Sequence, residues 1–128
     1  MTVFLDTGFF VARLRPRDQW HQAAVNAPVA NRYITSADVI GETLGLIQGR
    51  GALSVALAFL DQVTANDEIT IIHADSQLRR EAWQIYRIQA ASGASPVDCL
   101  SFAIMHRFGI TQAFAFDHHF RVAGFLML

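Results

Sequence analysis

The chain has 128 residues, of which 52% are hydrophobic and only 16% are charged. A chain of this length usually forms one domain, and its charged fraction, against about 25% in typical domains, excludes a disordered protein. No apolar run reaches the ~18 residues that a membrane-spanning helix needs. We therefore expect a single domain over residues 1–128, in the cytoplasm and with no membrane partner.

The charge balance and the cysteine count narrow the class further. Cys99 is the only cysteine, which excludes an intrachain disulfide and a thiolate cluster for metal, and favours a buried structural thiol. The formal net charge of −1 gives no overall attraction to nucleic acid. All ten basic residues are arginine, whose planar guanidinium binds phosphate well, so RNA binding stays open.

Strand-like and helix-like patterns alternate along the chain. In the first half they predict a strand over Thr2–Asp6, a short helix around Phe9–Arg13, a helix over Gln19–Ala27 capped by Asp18, a strand over Arg32–Ile34, a helix that starts with a Thr35–Asp38 box and runs to Gly49, and a helix over Ala52–Thr64. In the second half they predict a strand over Glu68–His73, a helix over Ser76–Ala91 with Leu78, Ala82, Ile85 and Ile88 inward, a helix from Pro96 to Phe108 with Leu100, Ala103, Ile104 and Phe108 inward, a strand over Gln112–Phe116, and an edge strand over Phe125–Leu128. Such alternation predicts an α/β fold with a mainly parallel sheet of four to five strands flanked by helices.

Four acids stand at positions that suit a metal site. Asp6 and Asp117 lie where apolar strands end, which is the edge at which open parallel sheets bind ligands. Asp98 lies in the first turn of a helix, and Glu42 lies on a helix face away from the apolar stripe. If the four converged, each close pair would repel by about 4 kcal/mol at 4 Å with an effective dielectric of 20. The cluster would then need a cation, and carboxylate oxygens favour Mg²⁺ or Mn²⁺.

Each acid also has a purely structural interpretation. Asp98 fits the third helical position of a capping box begun by Ser95, Glu42 fits a solvated helix residue, and Asp117 fits the start of a turn. Asp6 is harder to explain in this way, because burial of an unpaired acid costs free energy. Only the whole set favours a metal site.

Four short motifs carry these acids: Phe4-Leu5-Asp6-Thr7, Ile40-Gly41-Glu42-Thr43, Ser95-Pro96-Val97-Asp98-Cys99 and Ala115-Phe116-Asp117-His118-His119-Phe120. Through their order and spacing the chain resembles, from Val3 to Phe125, the PIN domain ribonucleases, especially the VapC-like toxins of toxin-antitoxin pairs. The resemblance implies a single PIN-like domain and a metal-dependent endoribonuclease. In it Asp6, Glu42, Asp98 and Asp117 would hold Mg²⁺, with Mn²⁺ as a substitute. The expected partners are an RNA substrate, a small antitoxin and a second copy of the chain.

Three residues near the motif acids are expected to support the site. Thr7 is placed to hydrogen-bond a carboxylate or a water at the metal. Asp38, one turn before Glu42, is expected to cap its helix, to repel Glu42 or to position such a water. His119 stands where many relatives carry a further acid, which predicts one tightly held metal. Neighbouring histidines on a strand or turn point apart, so ligation by His118 and His119 together is not expected.

The remaining conspicuous side chains are arginines and aromatics of the N-terminal third. Arg13, Arg15 and Arg17 are either solvated or placed to meet RNA phosphates. The aromatic residues there are expected to pack in the core or against a partner rather than to stack on bases, and they are Phe9, Phe10 and Trp20.

Two other α/β classes place aspartates at strand ends, and neither fits. A receiver domain needs a late lysine, and the chain contains none. A haloacid-type phosphatase needs an aspartate two residues after its nucleophile, where this chain has Gly8. The serious rival is a catalytically silent PIN-like module that only binds a protein or RNA. Its mark would be the loss of one of the four acids, and all four are present.

Overall fold

Five short strands form one sheet in the computed structural model, which describes residues 1–128. They are β1 (Thr2–Leu5), β2 (Arg32–Ser36), β3 (Ile69–Ile72), β4 (Gln112–Phe114) and β5 (Leu126–Met127). Every pairing is parallel, and the strand order is β3-β2-β1-β4-β5. The central strand β1 therefore lies between β2 and β4, where the direction of winding reverses.

Seven helices flank the sheet, so the predicted α/β architecture is confirmed. They are α1 (Thr7–Leu14), α2 (His21–Val25), α3 (Ala37–Gly49), α4 (Leu53–Ala65), α5 (Ser76–Gln89), α6 (Pro96–Phe108) and α7 (His119–Val122). The last of them was not predicted, because four residues are too few to show a helical period. None of the helices combines the length and the apolar character that crossing a membrane requires.

The core is built around β1 and α6. Val3, Phe4 and Leu5 are buried on both sides of the central strand, and α6 is buried from Asp98 to Met105. Cys99 is a fully buried free thiol, as predicted. The Phe120 ring of α7 packs edge-on against Phe102 of α6, with ring centroids 5.0 Å apart. This contact fixes the segment after β4 relative to the start of α6, and both carry a motif acid.

The predicted helix-start box at Thr35 and Asp38 is wrong. Strand β2 continues through Ser36, whose Oγ accepts the Val39 N–H at 3.0 Å and caps α3. Thr35 is completely buried instead, and its hydroxyl donates to the Leu5 carbonyl at 2.8 Å. The side chain therefore ties the ends of β1 and β2 together beside Asp6, a tertiary role that a local pattern does not reveal.

Two side chains predicted to face the core are exposed. Ile88 is 79% exposed because the buried stripe of α5 follows Leu78, Ala82 and Ile85, and Ile88 lies about 80° away from Leu78 around the helix. Phe108 is 49% exposed because it is the last residue of α6, where the helix reaches the surface. Helical period alone thus overestimates the width of the buried face.

Candidate metal centre

All four motif acids line one cleft of about 470 Å³ at the carboxyl ends of β1 and β4. Asp6 directly follows β1, and its N–H donates to the Phe114 carbonyl of β4 at 3.1 Å. Asp117 follows β4 three residues later, while α3 contributes Glu42 and the first turn of α6 contributes Asp98. A second cavity, of about 260 Å³, has a mainly apolar lining and contains no acid. The candidate metal ligands therefore lie in the acidic cleft.

Asp6 is the most unusual of these acids, because it is only 4% exposed and forms no salt bridge. Burial, with a smaller contribution from the nearby carboxylates of Asp98 and Glu42, raises the pKa of Asp6 to about 7. The backbone N–H groups of Thr7 and Gly8 oppose this rise in part. A buried acid beside two others and without a positive partner calls for a bound cation.

Asp98 is held in place by its own helix start. Its Oδ2 accepts the Ser95 N–H at 3.0 Å, and the Asp98 N–H donates to the Ser95 hydroxyl at 3.1 Å. The predicted capping box is therefore confirmed, and it engages only one carboxylate oxygen. Burial raises the pKa of Asp98, and the charge of Asp117 adds to this effect. Asp98 can thus cap α6 with one oxygen and offer the other to the cleft.

Asp117 is positioned by His119. Its Oδ1 accepts the His119 N–H at 2.9 Å and also contacts His119 Nδ1. On the other side of the ring, Nε2 donates to the Ser92 carbonyl, 2.9 Å away. The Ser92 carbonyl and then the Asp117 carboxylate raise the pKa of His119. The imidazole therefore links the segment of Asp117 to the loop that leads into Asp98.

The two neighbouring histidines do not point apart, contrary to the prediction. Their ring centroids are 4.2 Å apart, and His118 Nδ1 is 3.7 Å from Asp117 Oδ1. The chain turns into α7 at this point, and both rings lie beside the Asp117 carboxylate. One ligand atom from each of the three residues lies within 4.8 Å of the others. Both imidazoles thus lie beside the fourth motif acid.

Of the residues predicted to support the site, Thr7 lies inside the cleft and Asp38 lies outside it. Thr7 lies in the cleft, and its buried hydroxyl has no hydrogen-bond partner in the chain. Asp38 is not in the cleft lining, because its carboxylate binds both terminal nitrogens of Arg79, at 2.8 and 3.3 Å. The side-chain contacts of Asp38 are therefore with α5. Asp18, predicted only as a helix cap, also lines the cleft.

The lining of the cleft fits a hard divalent cation. Five acids contribute to it, and none of the lining residues is lysine, arginine or histidine. The unpaired Thr7 hydroxyl adds a further oxygen that needs a partner. The oxygen donors of this lining suit Mg²⁺ or Mn²⁺ rather than zinc, which prefers nitrogen and sulfur ligands, and the imidazoles of His118 and His119 lie outside the lining, at Asp117.

The family model of the PIN domain matches residues 3–126 of this chain. The chain belongs to the PIN domain family. This PIN domain is 32% identical over 126 residues to the "23S rRNA-specific endonuclease VapC20" of Mycobacterium tuberculosis, which covers 97% of this chain and 95% of that protein. The crystal structure of that VapC20, described as a sarcin-ricin loop cleaving toxin, matches with a TM-score of 0.92 at 30% identity over 98% of both chains. FitAcB of Neisseria gonorrhoeae matches with a TM-score of 0.64 at 16% identity, over 99% of this chain and 95% of that chain, and shares the fold.

The burial of Asp6 predicts that the metal-free PIN domain loses stability as the pH rises. The pKa of Asp6 is about 7 in the folded protein and about 4 in an unfolded chain, so unfolding releases a proton between these values. The free energy of unfolding should therefore fall across pH 4 to 7, by up to about 4 kcal/mol from this group. Urea denaturation in EDTA at several pH values measures the slope.

In Asp6→Asn this part of the slope should disappear, and the metal-free variant should be more stable than the wild type at pH 8. Asp61→Asn, on the exposed face of α4, is the matched control and should keep the wild-type slope. An Asp6→Asn protein with the wild-type slope would show that Asp6 is ionised at ordinary pH in the fold.

Gly93 and Gly109 form a matched pair that tests the His119 contact. Both have positive φ, of 100° and 65°, so alanine is strained at either site, by roughly 1 kcal/mol or more. Only at Gly93 would the added Cβ meet a side chain, 3.0 Å from His119 Nε2. Gly93→Ala should therefore lose about 1 kcal/mol more than Gly109→Ala in urea denaturation. This excess of Gly93→Ala over Gly109→Ala should vanish when both are made in a His119→Ala background. An excess of the same size with and without His119 would rule out a rigid His119 contact.

Proposed function

We propose that this PIN domain is a magnesium-dependent endoribonuclease and the toxin of a toxin-antitoxin pair. The observation that carries the proposal is the single cleft that Asp6, Glu42, Asp98 and Asp117 line, together with no lysine, arginine or histidine. Membership of the PIN family and the likeness to an endonuclease toxin over nearly the whole chain support it. The rival interpretation, a silent binding module, offers no reason for a buried and unpaired Asp6.

The residues of the cleft are arranged before any substrate arrives. Asp98 is fixed by Ser95, Asp117 is fixed by His119, and Asp6 is enclosed by the core at the end of β1. Such fixed carboxylates need no rearrangement during the reaction. Mg²⁺ held by the four acids would lower the pKa of a water nucleophile and offset charge on the phosphoryl and leaving oxygens. The Thr7 hydroxyl, which has no partner in the chain, would orient that water.

RNA is the substrate class that we propose, with cleavage in the cytoplasm. VapC20 carries the name of a 23S rRNA-specific endonuclease, so 23S rRNA is the first RNA to test with this chain. The loop between α1 and α2 contains Arg15 and Arg17 and also contributes Asp18 and Trp20 to the cleft. We propose that these two arginines bind phosphates of the strand that enters the cleft.

Exposed leucines of α3 and α4 support a protein partner. Leu46 of α3 lines the cleft and is 42% exposed, and Leu53 and Leu57, one turn apart on α4, are more than half exposed. Large exposed apolar side chains are typical of interaction surfaces when they form a patch. We propose that the chain forms a homodimer and that a small antitoxin covers the acidic cleft. Harmless expression of the chain alone, with no small partner co-purifying from its native host, would contradict the antitoxin.

The direct test is cleavage of a panel of RNAs that includes 23S rRNA, at increasing Mg²⁺. Cleavage should require Mg²⁺ or Mn²⁺, and Asp6→Asn and Glu42→Gln should each lower it at least about 100-fold, because each removes a charge from the cation site. Asp61→Asn should cleave like the wild type. Wild-type cleavage by a folded Asp6→Asn protein, or cleavage in EDTA, would contradict the assignment.

A further inference from the structure

An aromatic pair lies in the acidic cleft without a part in the mechanism above. The rings of Trp20 and Phe116 are stacked, with centroids 5.1 Å apart and planes only 5° from parallel. Both residues line the cleft together with the four motif acids. Trp20 is nevertheless 45% exposed, so of its two predicted roles, packing in the core or against a partner, the first is wrong. One face of the indole is covered by Phe116, and a large part of the ring remains open to solvent.

Both members of this pair are held at a fixed place relative to the acids. Phe116 is bonded directly to Asp117. The backbone N–H of Trp20 donates to Asp18 Oδ1 at 2.8 Å, and the next residue, His21, hydrogen-bonds through Nδ1 to the Ala12 carbonyl of α1 at 2.8 Å. A ligand on the indole would therefore have a defined distance to the acid cluster.

A flat, half-exposed indole beside a phosphodiester-cleaving site has an obvious class of ligand. Unpaired nucleobases stack on aromatic side chains because every base has an apolar face, and the contact requires no particular base. The acids of the cleft repel phosphate and provide no surface for a base. The indole is the exposed aromatic surface of the cleft. A base stacked on it would bring the adjoining phosphate over the acids.

We propose that Trp20, supported by Phe116, is the stacking platform for an unpaired base next to the scissile phosphate, a role that rests on the proposed nuclease function. Trp20 is then a positioning residue, since it acts by holding the strand over the carboxylates. A base inside a regular duplex is stacked on its neighbours and does not expose this face. The platform therefore selects loop or single-stranded nucleotides.

Paired RNAs test this platform. One RNA carries the base next to the cleavage site, and the other has an abasic sugar there. Trp20→Leu should lower kcat/KM on the complete RNA by roughly 10- to 100-fold, chiefly through KM, while Trp20→Phe keeps most of the activity. The abasic RNA should be a poor substrate for the wild type, and Trp20→Leu should lower its cleavage no further. Trp83→Leu, at the other exposed tryptophan on α5, should leave both RNAs unaffected.

A binding measurement separates the platform from catalysis and needs no change at Trp20. In a Trp83→Phe protein, mixed rapidly with RNA so that binding is followed before cleavage, Trp20 is the only tryptophan. Its fluorescence should be quenched by the complete RNA in Mg²⁺ and much less by the abasic RNA, while anisotropy of labelled RNA reports total binding. Binding without quenching, or an equal loss of cleavage on both RNAs in Trp20→Leu, overturns the platform and leaves the nuclease standing. If the wild type cleaves no RNA, the proposed nuclease function fails, and the platform fails with it.

Discussion

The mutual repulsion of acids in a closed space is the constraint on which the rest of the structure depends. Asp6 is buried without a positive partner, and the same cleft holds four further carboxylates. In the metal-free protein this arrangement opposes folding, which the large core around β1 and α6 has to offset. A bound cation would reverse the effect, because it would convert repulsion into shared ligation. The proposed activity and the stability of the fold would then be coupled through one site.

The fold holds the acids together by connecting distant parts of the chain. The neighbouring strands β1 and β4 bring the residues that follow them to one edge, and the Thr35 hydroxyl closes that edge against the Leu5 carbonyl. His119 then joins the Asp117 segment to Ser92, 27 residues away in sequence, just before the start of α6. Each contact restricts a different acid. The geometry of the cleft is therefore set by the strand order and by two side-chain hydrogen bonds, from Thr35 and from His119.

Much of this could be predicted from the sequence, because the strands and longer helices have clear periods and the acids stand at strand ends or helix starts. The contacts that the sequence did not reveal mostly involve partners distant in sequence. Asp38 pairs with Arg79, 41 residues away, and no local pattern distinguishes that ion pair from a role at the metal. The boundary at Ser36 was misplaced because Thr35 and Ser36 are equally able to cap a helix. Trp20 was predicted to pack in the core or against a partner, and neither its exposure nor its stacking on Phe116, 96 residues away, can be read from a local pattern.

The most direct test of the central claim is a count of bound cations by electron paramagnetic resonance, in which free Mn²⁺ is measured as it is titrated into the protein. We expect one tightly bound Mn²⁺ per chain, displaced by excess Mg²⁺ and greatly weakened in Asp6→Asn, because the buried carboxylate is one of the proposed ligands. No tight binding by the wild type, or undiminished binding by Asp6→Asn, would contradict a cation site built on these acids.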